Sequence, residues 1–447
     1  MFLVWFCYTV YGYRRLHGVN SGVGHEGGRH GGHDGYQCYR DNLIAWDGPS
    51  VIETNARNID FKFGKGNMAT NIAVLTNDEI DEPVITITAN VTKTHPLYDD
   101  DDDDDEFQNE GVTILDTNTK EFHRHGLHVQ VIEINGDFAI TIWADEYAEH
   151  GHHHHHHHHD HDDEHHNDDH PHHHHRKFCA NIEVAVILPQ AFAKFGRLSI
   201  VGTIMDVDVR DISGITFERL HISTAIGRVT VHRSEDDYIG TGGILAKDLS
   251  VHGVTGPITV PAISAPEGSP TKVNVTTSVG SIDLNVVLPQ IDANAEDQKH
   301  EIFVTSITGN IQVGVRPTAG DDDGKAHSKS APVVPGEVHL KLSSEVGQVH
   351  TSVDLADHQV LFLGSESATG LISTKVSDKF LGSIKLQTEI GSTKVVEVEG
   401  SASEIDFEKN TNRVKSGRKQ PKGKPDGNDE GEIDLRSRFG RSELIFG

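Results

Sequence analysis

The stretch that decides the fold is VNVTTSVGSIDLNV at Val273–Val286, with its copy IFVTSITGNIQVGV at Ile302–Val315. Apolar residues alternate before the central glycine and alternate again after it, one step out of phase. In the first stretch they are Val273, Val275 and Val279, then Ile282, Leu284 and Val286. A period of two indicates a strand with one buried face, and a phase slip indicates a bend or bulge, where glycine takes the unusual dihedral angles. Each unit therefore predicts a strand, a corner and a strand.

The first eight residues of this unit recur through the second half of the chain as apolar, any, apolar, any, Ser/Thr, any, usually apolar, Gly. The clear copies end at Gly227, Gly280, Gly309, Gly347, Gly391 and Gly440, and weaker ones end at Gly214, Gly256 and Gly370. Gaps without polar inserts run mostly from 21 to 29 residues, which is typical of one solenoid turn. A repeat that cannot bury its apolar face alone has to stack on its neighbours. The sequence predicts an all-β, elongated β-solenoid (β-helix-like) of repeated strand–Gly corner–strand units.

The hydroxyl residue of the motif lies on the inward phase of the alternation. Its members are Thr224, Thr277, Ser306, Ser344, Thr388 and Ser437. Buried hydroxyls need hydrogen-bond partners. We expect a stacked hydroxyl ladder, each group satisfied by the next turn, with catalytic use as the alternative.

Composition supports a thin β structure. Hydrophobic residues make up 35% of the chain and aromatic residues 6%, with 44 glycines, and no long helical periodicity is seen. Asn135-Gly136 lies between alternating segments and predicts a hairpin. We expect residues 46–447 to form one adhesin-like β domain. A split into two β domains at the histidine tract is the alternative.

Charged or low-complexity inserts interrupt this pattern. They cover residues 99–106 (aspartate-rich), 150–177 (histidine-rich), 316–336 (acidic) and 399–431 (containing the basic segment Lys409–Lys424), and residues 17–45 form a Gly/His-rich linker. Such segments cannot bury enough apolar area to offset the entropy lost on ordering. We expect all of them to be disordered.

The histidine tract carries the most evident chemistry, with 17 histidines between His150 and His175. Imidazole binds Zn²⁺, Ni²⁺ and Cu²⁺, so loose binding of these ions is expected without a dedicated cofactor. The candidate ligands are His152, His153, His154, His155, His156, His157, His158, His159, His161, His172, His173, His174 and His175. A solvated loop without a selected role and a pH-responsive charged patch are the alternatives.

The N-terminal sequence predicts a segment that associates with a membrane. Residues 1–16 begin with an apolar run, shorter than the roughly twenty residues that span a bilayer, followed by Arg14-Arg15. We expect a partial anchor or signal-like segment, apparently truncated, and a protein that is membrane-anchored on the extracellular face or secreted. The alternative is an apolar, frayed terminus that does not associate with a membrane.

Two weaker features agree with a secretory route. With Cys7 in the anchor, Cys38 and Cys179 are the candidate disulfide pair, and Asn90 and Asn274 lie in glycosylation sequons.

Composition and motifs also argue against other functions. The net charge of −29 disfavours nucleic acid as a partner. No GxSxG, HExxH, phosphate-loop or CxxC motif is found, so we expect a protein that is not an enzyme. A polysaccharide-cleaving β-helix is the less favoured alternative, because it needs carboxylates on adjacent turns.

The chain resembles the putative-adhesin domain family of bacterial and fungal surface proteins. The resemblance rests on the repeated units from about Asp206 to Phe446, on the segment Thr54–Asn58, and on the Gly/His-rich stretch that follows an apolar N-terminus. The resemblance implies a β-solenoid-like fold, a role at the cell surface and partners among surface or wall polymers and proteins. It implies no catalytic residue. The short anchor and the large inserts depart from the family pattern. A metal- or pH-responsive surface protein acting through the His-rich and Asp-rich inserts is the alternative function.

Overall fold

The structure is a computed structural model that describes residues 43–447 with gaps. The residues not described within that range are 67, 93–110, 117, 146–178, 211, 213, 233–242, 293–297, 319–332, 335, 398–399, 402 and 423–430. The described residues form strands, turns and bends without a helix, which confirms the all-β prediction. Consequently none of these residues belongs to a helix with the length and apolar character to cross a membrane.

The longest strands, such as β11, β24 and β28, lie in the later part of the chain. The early strands are β1 (Leu43–Ala45), β2 (Val51–Glu53), β3 (Asn58–Phe63), β4 (Met68–Asn77), β5 (Val84–Thr92), β6 (Gly111–Asp116), β7 (Thr119–Arg124), β8 (Leu127–Ile134) and β9 (Asp137–Ala144). The later strands are β10 (Ala180–Pro189), β11 (Lys194–Val209), β12 (Thr216–Ile226), β13 (Val229–Val231), β14 (Ile244–Thr255), β15 (Ile258–Ser264), β16 (Lys272–Val279), β17 (Ile282–Leu288), β18 (Ile291–Asp292), β19 (Lys299–Thr308), β20 (Ile311–Pro317), β21 (Val333–Val334), β22 (Glu337–Val346), β23 (Val349–Val353), β24 (Leu361–Val376), β25 (Gly382–Val396), β26 (Ser403–Asn410), β27 (Val414–Pro421) and β28 (Gly431–Phe446).

One sheet of 26 strands contains all of these except β18 and β21, which pair with each other. Antiparallel pairs dominate the early part, where β6 to β9 form a meander and β5 pairs with β1, β2 and β10. The predicted Asn135-Gly136 hairpin joins β8 to β9, and both residues have positive φ. Strand β10 also pairs with β4, so strands from both sides of the histidine tract belong to the same sheet.

From β11 onward the pairing is mostly parallel and links equivalent strands of successive copies. Strands before the glycine pair in the order β12, β14, β16, β19, β22, β24, and those after it pair as β13, β15, β17, β20, β23, β24. Equivalent apolar residues therefore stack directly, as Val251, Val275, Val304 and Leu342 do. All four are fully buried.

The repeat unit has the predicted strand, corner and strand, with one correction. Val273 and Val275 before Gly280 and Ile282 and Leu284 after it are buried as expected. Val279, however, is 50% exposed. The position before the glycine is exposed in other copies as well, since Val346 and Ile390 are 51% and 58% exposed.

The motif glycines stand in a column along these corners. A Cβ added at Gly309 would lie 1.9 Å from the carbonyl oxygen of Gly280, and Gly309 has φ of +149°. The other members in left-handed backbone are Gly227, Gly256, Gly347, Gly370, Gly391 and Gly440. At Gly280 a glycine is required only because the neighbouring backbone is close: an added Cβ would lie 2.0 Å from the carbonyl oxygen of Gly256. Gly214 does not belong to the column: it lies in a turn with open space around it.

The last copies do not stack in chain order. Strand β28 lies between β24 and β25, so Gly440 follows Gly370 and Gly391 follows Gly440. The outer edge of β25 is covered by the antiparallel strand β27, which itself pairs with β26. This closing hairpin covers the edge of β25, which would otherwise offer unpaired backbone groups.

The prediction of disorder was wrong for most of residues 399–431. Strands β26 and β27 occupy the basic segment, and Lys419 on β27 is only 1% exposed. Its ammonium group donates to the Asp378 carboxylate and to two backbone carbonyls, so the buried charge is satisfied. Strand β1 also begins inside the expected linker at residues 17–45, and β21 lies inside the 316–336 insert. The inserts 99–106 and 150–177 lie outside the described residues.

Candidate functional site

The predicted site residues fall into two groups. All thirteen candidate histidine ligands of the tract, and Cys38, lie outside the described residues. Cys179 is disulfide-bonded, and its pairing with Cys38 stays a prediction. Asn90 on β5 and Asn274 on β16 are exposed, so both sequons face solvent. Their glycosylation stays a prediction.

Five of the six motif hydroxyls have hydrogen-bond partners, although these differ from the expected ladder, and the hydroxyl of Thr277 has none among the described residues. Thr224 donates to the carbonyl of Met205 and Ser306 to that of Gly280. Ser344, Thr388 and Ser437 likewise donate to the glycine carbonyl of the neighbouring copy. The acceptor is thus a backbone oxygen in the neighbouring copy and not another hydroxyl.

A shallow depression of about 340 Å³ opens on the outward side of four neighbouring strands, β19, β22, β24 and β28. Phe303 and Phe362 contribute aromatic rings, and the His339 ring stacks on Phe362 with centroids 4.7 Å apart. Phe303 is 42% exposed. Gly364 forms part of the floor, and a Cβ at this position would meet no atom within 4 Å. The depression exists because this outward position carries no side chain.

Strand register explains how these side chains meet. Phe362 lies opposite His339 on one side and Glu432 on the other, and Gly364 lies between Lys341 and Asp434 in the same way. Outward residues of a strand recur every second position. The alternation that buries Leu361 and Leu363 therefore places the residues between and after them on the outer surface.

Charged groups surround the two aromatic rings. Four of them are carboxylates, Glu301, Glu366, Glu432 and Asp434, and one is the ammonium group of Lys341. Asp434 is held by Arg436, whose Nη2 lies 2.5 Å from Oδ2. The hydrogen bond and the charge of Asp434 raise the pKa of Arg436 above its ordinary value. The depression thus combines apolar rings with hydrogen-bond acceptors at its rim, a combination typical of sites that bind neutral polar ligands.

The sequence reasoning missed this depression. The signal was present as two phenylalanines at outward strand positions, Phe303 in the copy that ends at Gly309 and Phe362 just before the copy that ends at Gly370, with the Gly347 copy between them. The carboxylates Glu432 and Asp434 reach the depression only because β28 lies next to β24, and that neighbour relation does not follow chain order.

A second polar cluster lies on the outer surface of β12, β14 and β16. His252 lies between the hydroxyls of Ser250, 2.8 Å away, and Thr276, 2.6 Å away. Burial lowers the pKa of His252, and the neighbouring His221 lowers it further. Nδ1 of His252 faces the hydroxyl of Thr276, so the group differs from a Ser-His-Asp triad, in which a carboxylate holds that nitrogen.

Residues that could hold a metal occur at one place in the described part of the chain. His123, His128 and Asp145 bring one ligand atom each to within 4.8 Å of one another. None of the three was among the predicted ligands. The signal was the HRHGLH run at His123–His128, where a two-residue turn makes the outer histidines cross-strand neighbours.

Comparison with known proteins gives little. No protein-family model matches the chain, and no curated protein matches it. A matching crystal structure is that of a putative cell adhesion protein from Clostridium sporogenes. The match covers 91% of this chain and 100% of the other at 6% identity, with a TM-score of 0.15. A likeness at that score carries no argument about this protein.

Proposed function

We propose that this protein is a non-enzymatic, adhesin-like surface module, an elongated β-solenoid that binds polysaccharide at the depression around Gly364. The observation that carries the proposal is the pair of aromatic side chains, Phe303 and Phe362, beside a floor without a side chain and a rim of carboxylates.

The solenoid architecture is supported by the pairing pattern. Strands of successive copies pair in parallel with equivalent residues opposite one another, as Val275 and Val304 are. The glycine column repeats this relation at every corner from Gly227 to Gly391. Copies that contact mainly their neighbours build an extended surface, and repeat proteins use such surfaces for binding.

Polysaccharide fits the chemistry of the depression. A sugar ring presents C–H groups on its faces, which pack on aromatic rings, and hydroxyl groups at its edge, which donate to carboxylates. Phe362 with the stacked His339 offers the apolar platform, and Glu366 and Glu432 offer acceptors. Because the rim is rich in carboxylates and the chain carries a net charge of −29, neutral or amino sugars are favoured over uronic acids.

Binding of chitin hexasaccharide and laminarihexaose to the full-length protein tests this proposal, with polygalacturonate as the anionic comparison. Phe362→Ala and Gly364→Val should each weaken binding about tenfold, roughly 1.4 kcal/mol. Phe439→Ala is the matched control, because Phe439 is 46% exposed and lies on the glycine edge, outside the depression. Equal affinities for all four proteins would reject the site.

The same mixtures separate binding from cleavage. Carboxylates on adjacent strands, such as Glu366 and Glu432, are the groups that a glycosidase would use. A non-enzymatic module leaves the chain length of the sugar unchanged after prolonged incubation. Shortening that disappears in Glu366→Gln or Glu432→Gln would instead make the protein a polysaccharide-cleaving enzyme.

The surface location is part of the same proposal. The apolar N-terminal segment would attach the chain to a membrane and the β domain would face the outside, or the protein would be secreted. Protease treatment of intact cells that express a C-terminally tagged full-length chain measures this. Loss of the tag without cell lysis supports exposure, whereas a tag protected until lysis contradicts it.

The metal- or pH-responsive alternative assigns the function to the histidine tract. Replacing residues 150–177 by a short Gly/Ser linker tests it. The adhesin-like proposal expects unchanged sugar binding at pH 5 and pH 7, with or without Zn²⁺. Binding that depends on the tract would favour the alternative.

A further inference from the structure

The hairpin of β7 and β8 presents two histidines side by side. Its two-residue turn is His125-Gly126, and both residues have positive φ, at 50° and 74°, as a type I′ turn requires. Arg124 and Leu127 close the turn, and His123 and His128 form the next cross-strand pair. In such a hairpin this second pair is the non-hydrogen-bonded kind, whose side chains approach most closely.

The two imidazoles are stacked and one of them is fixed from both faces. The rings of His123 and His128 lie 3.9 Å apart at 7°. The Trp143 ring on β9 packs against the other face of His128, at 4.9 Å and 9°. The side chain of His128 is consequently only 15% exposed, whereas that of His123 is 41% exposed.

A carboxylate completes the group from the third strand. Asp145 directly follows β9, and its backbone N–H donates to the carbonyl of Gly126 in the turn. Its Oδ1 lies 3.1 Å from Nε2 of His128, and its Oδ2 lies 3.9 Å from Nε2 of His123. Three strands of the meander therefore bring three potential ligand atoms to within 4.8 Å of one another.

The second ring nitrogen of His128 has its own acidic neighbour. Nδ1 lies 3.6 Å from Oε1 of Glu121, which is on β7 two residues before His123. Without a metal, Nε2 donates to Oδ1 of Asp145, because a carboxylate only accepts, and Nδ1 has no hydrogen-bond partner among the described residues. A metal at Nε2 would take the place of that proton, and the proton of the neutral ring would then lie on Nδ1, facing Glu121. Histidine ligands of zinc usually have such a partner.

We propose that His123, His128 and Asp145 form a Zn²⁺ site, with Glu121 as the residue that positions His128. Two imidazoles and a carboxylate suit zinc, whereas Ca²⁺ and Mg²⁺ prefer oxygen ligands. Bond lengths of about 2.0–2.1 Å place tetrahedral ligand atoms about 3.3 Å apart. Asp145 Oδ1 lies 3.1 Å from Nε2 of His128 and Oδ2 lies 3.9 Å from Nε2 of His123, so the carboxylate is close to both rings. Because the lone pairs of parallel rings do not converge, the half-exposed His123 ring would rotate out of its stack on His128 to bind the same ion. Three protein ligands leave the fourth position open to water or to a donor from a partner.

This site differs in kind from the histidine tract. Its ligands lie on neighbouring strands of one meander, and it includes an orienting carboxylate and an aromatic wall. The tract offers many interchangeable imidazoles along one segment. We therefore expect the hairpin site to bind one Zn²⁺ with higher affinity than the tract.

Trp143 provides a readout that the tract does not share. Zn²⁺ at Nε2 of His128 changes the charge on a ring 4.9 Å from the indole, so the fluorescence of Trp143 should change on titration of the full-length protein. Trp143→Phe identifies that part of the signal. His128→Gln and Asp145→Asn should weaken the response at least tenfold, and Glu121→Gln should weaken it 10- to 100-fold by loosening the orientation of His128.

Two controls make the outcome decisive. His125→Asn changes a histidine of the same turn that is not in the ligand group, and asparagine tolerates positive φ. A tract variant with His152–His159 changed to Gln removes competing imidazoles. Both should keep the Trp143 response. A response that survives in His128→Gln and Asp145→Asn, or that vanishes in the tract variant, overturns the proposal. The circular dichroism spectrum of Asp145→Asn tests folding, because a native spectrum shows that the loss of binding is not a loss of the fold.

Discussion

The hydroxyl of Ser344 lies 3.3 Å from the carbonyl oxygen of Gly309 and donates a hydrogen bond to it. The same oxygen is the atom that a Cβ on Gly347 would meet at 2.0 Å. Two fixed positions of the motif, the hydroxyl residue and the glycine three residues later, therefore serve one carbonyl of the neighbouring copy. The glycine permits the close approach and the hydroxyl satisfies the oxygen.

This relation predicts different costs at two equivalent threonines. Thr224 donates to the carbonyl of Met205 at 3.1 Å, whereas the hydroxyl of Thr277 is buried without a hydrogen-bond partner among the described residues. Thr224→Val should lower the free energy of unfolding by about 1 kcal/mol, and Thr277→Val should be neutral or slightly stabilising. Both changes keep a β-branched side chain of similar volume. Urea denaturation of the two variants measures the difference, and equal costs would contradict a role for the hydrogen bond.

The repeat motif predicts the strands and corners because period-2 burial and glycine geometry are local properties. Val273 and Ile282 lie in the core as their phases require, and Asn135-Gly136 forms its hairpin. The exposure of the Val279 side chain could not be predicted from its polarity, because the sequence does not distinguish an exposed valine from a buried one.

Non-local pairing limits what the sequence can reveal. Nothing local indicates that β28 lies between β24 and β25, or that Lys419 reaches Asp378 across the closing hairpin. The zinc ligands depend on a turn and on a third strand, since Asp145 joins His123 only after β9 pairs with β8. Charge composition predicted disorder where long-range hydrogen bonds in fact order a basic segment.

The glycine column predicts a strong contrast between two glycines of one unit. At Gly309 an added methyl group would lie 1.9 Å from a backbone oxygen, in left-handed backbone. At Gly314 it would meet the side chain of Asn285, with Oδ1 at 2.1 Å, and a side chain can move away where a backbone oxygen cannot. Gly309→Ala should cost on the order of 3–5 kcal/mol, from strain and overpacking together, and Gly314→Ala should stay within about 0.5 kcal/mol. Thermal melts of the two variants check this, and similar melting temperatures would refute the backbone approach.

The apolar motif position directly before the glycine is exposed to solvent, so it should tolerate a polar substitution. Val346 is 51% exposed, and its neighbours in the stack, Thr308 and Thr369, are already threonines. Val346→Thr should therefore change the free energy of unfolding by less than about 0.5 kcal/mol. Val304→Thr is the matched control, because Val304 is fully buried and a new hydroxyl there should cost about 1–3 kcal/mol. Comparable losses for both would mean that the edge is covered in solution.

The closing hairpin contains a buried cation whose partner confers a pH dependence. Lys419 donates to Asp378 Oδ1 at 2.9 Å and lies 4.8 Å from the Phe446 ring centroid. Burial on its own would raise the pKa of Asp378, but hydrogen bonds from Lys419, Ser401 and Ser403 and the charge of Lys419 lower it below its ordinary value of 3.8. A lowered carboxyl pKa contributes stability that is present above the unfolded pKa and is lost as pH falls through the folded pKa.

Asp378→Asn should therefore destabilise the protein at pH 7, and the deficit relative to the unchanged protein should shrink as the pH falls below about 4. Lys419→Met should also destabilise at pH 7, because it leaves the Asp378 carboxylate without its cation. Urea denaturation at pH 7, 5, 4 and 3 measures both effects. Asp357→Asn is the control, since its ion pair with Lys379 is solvent-exposed at both ends and should contribute less than about 1 kcal/mol at any pH. A deficit for Asp378→Asn that stays constant from pH 7 to pH 3 would show that the carboxylate does not carry the pH dependence of this hairpin.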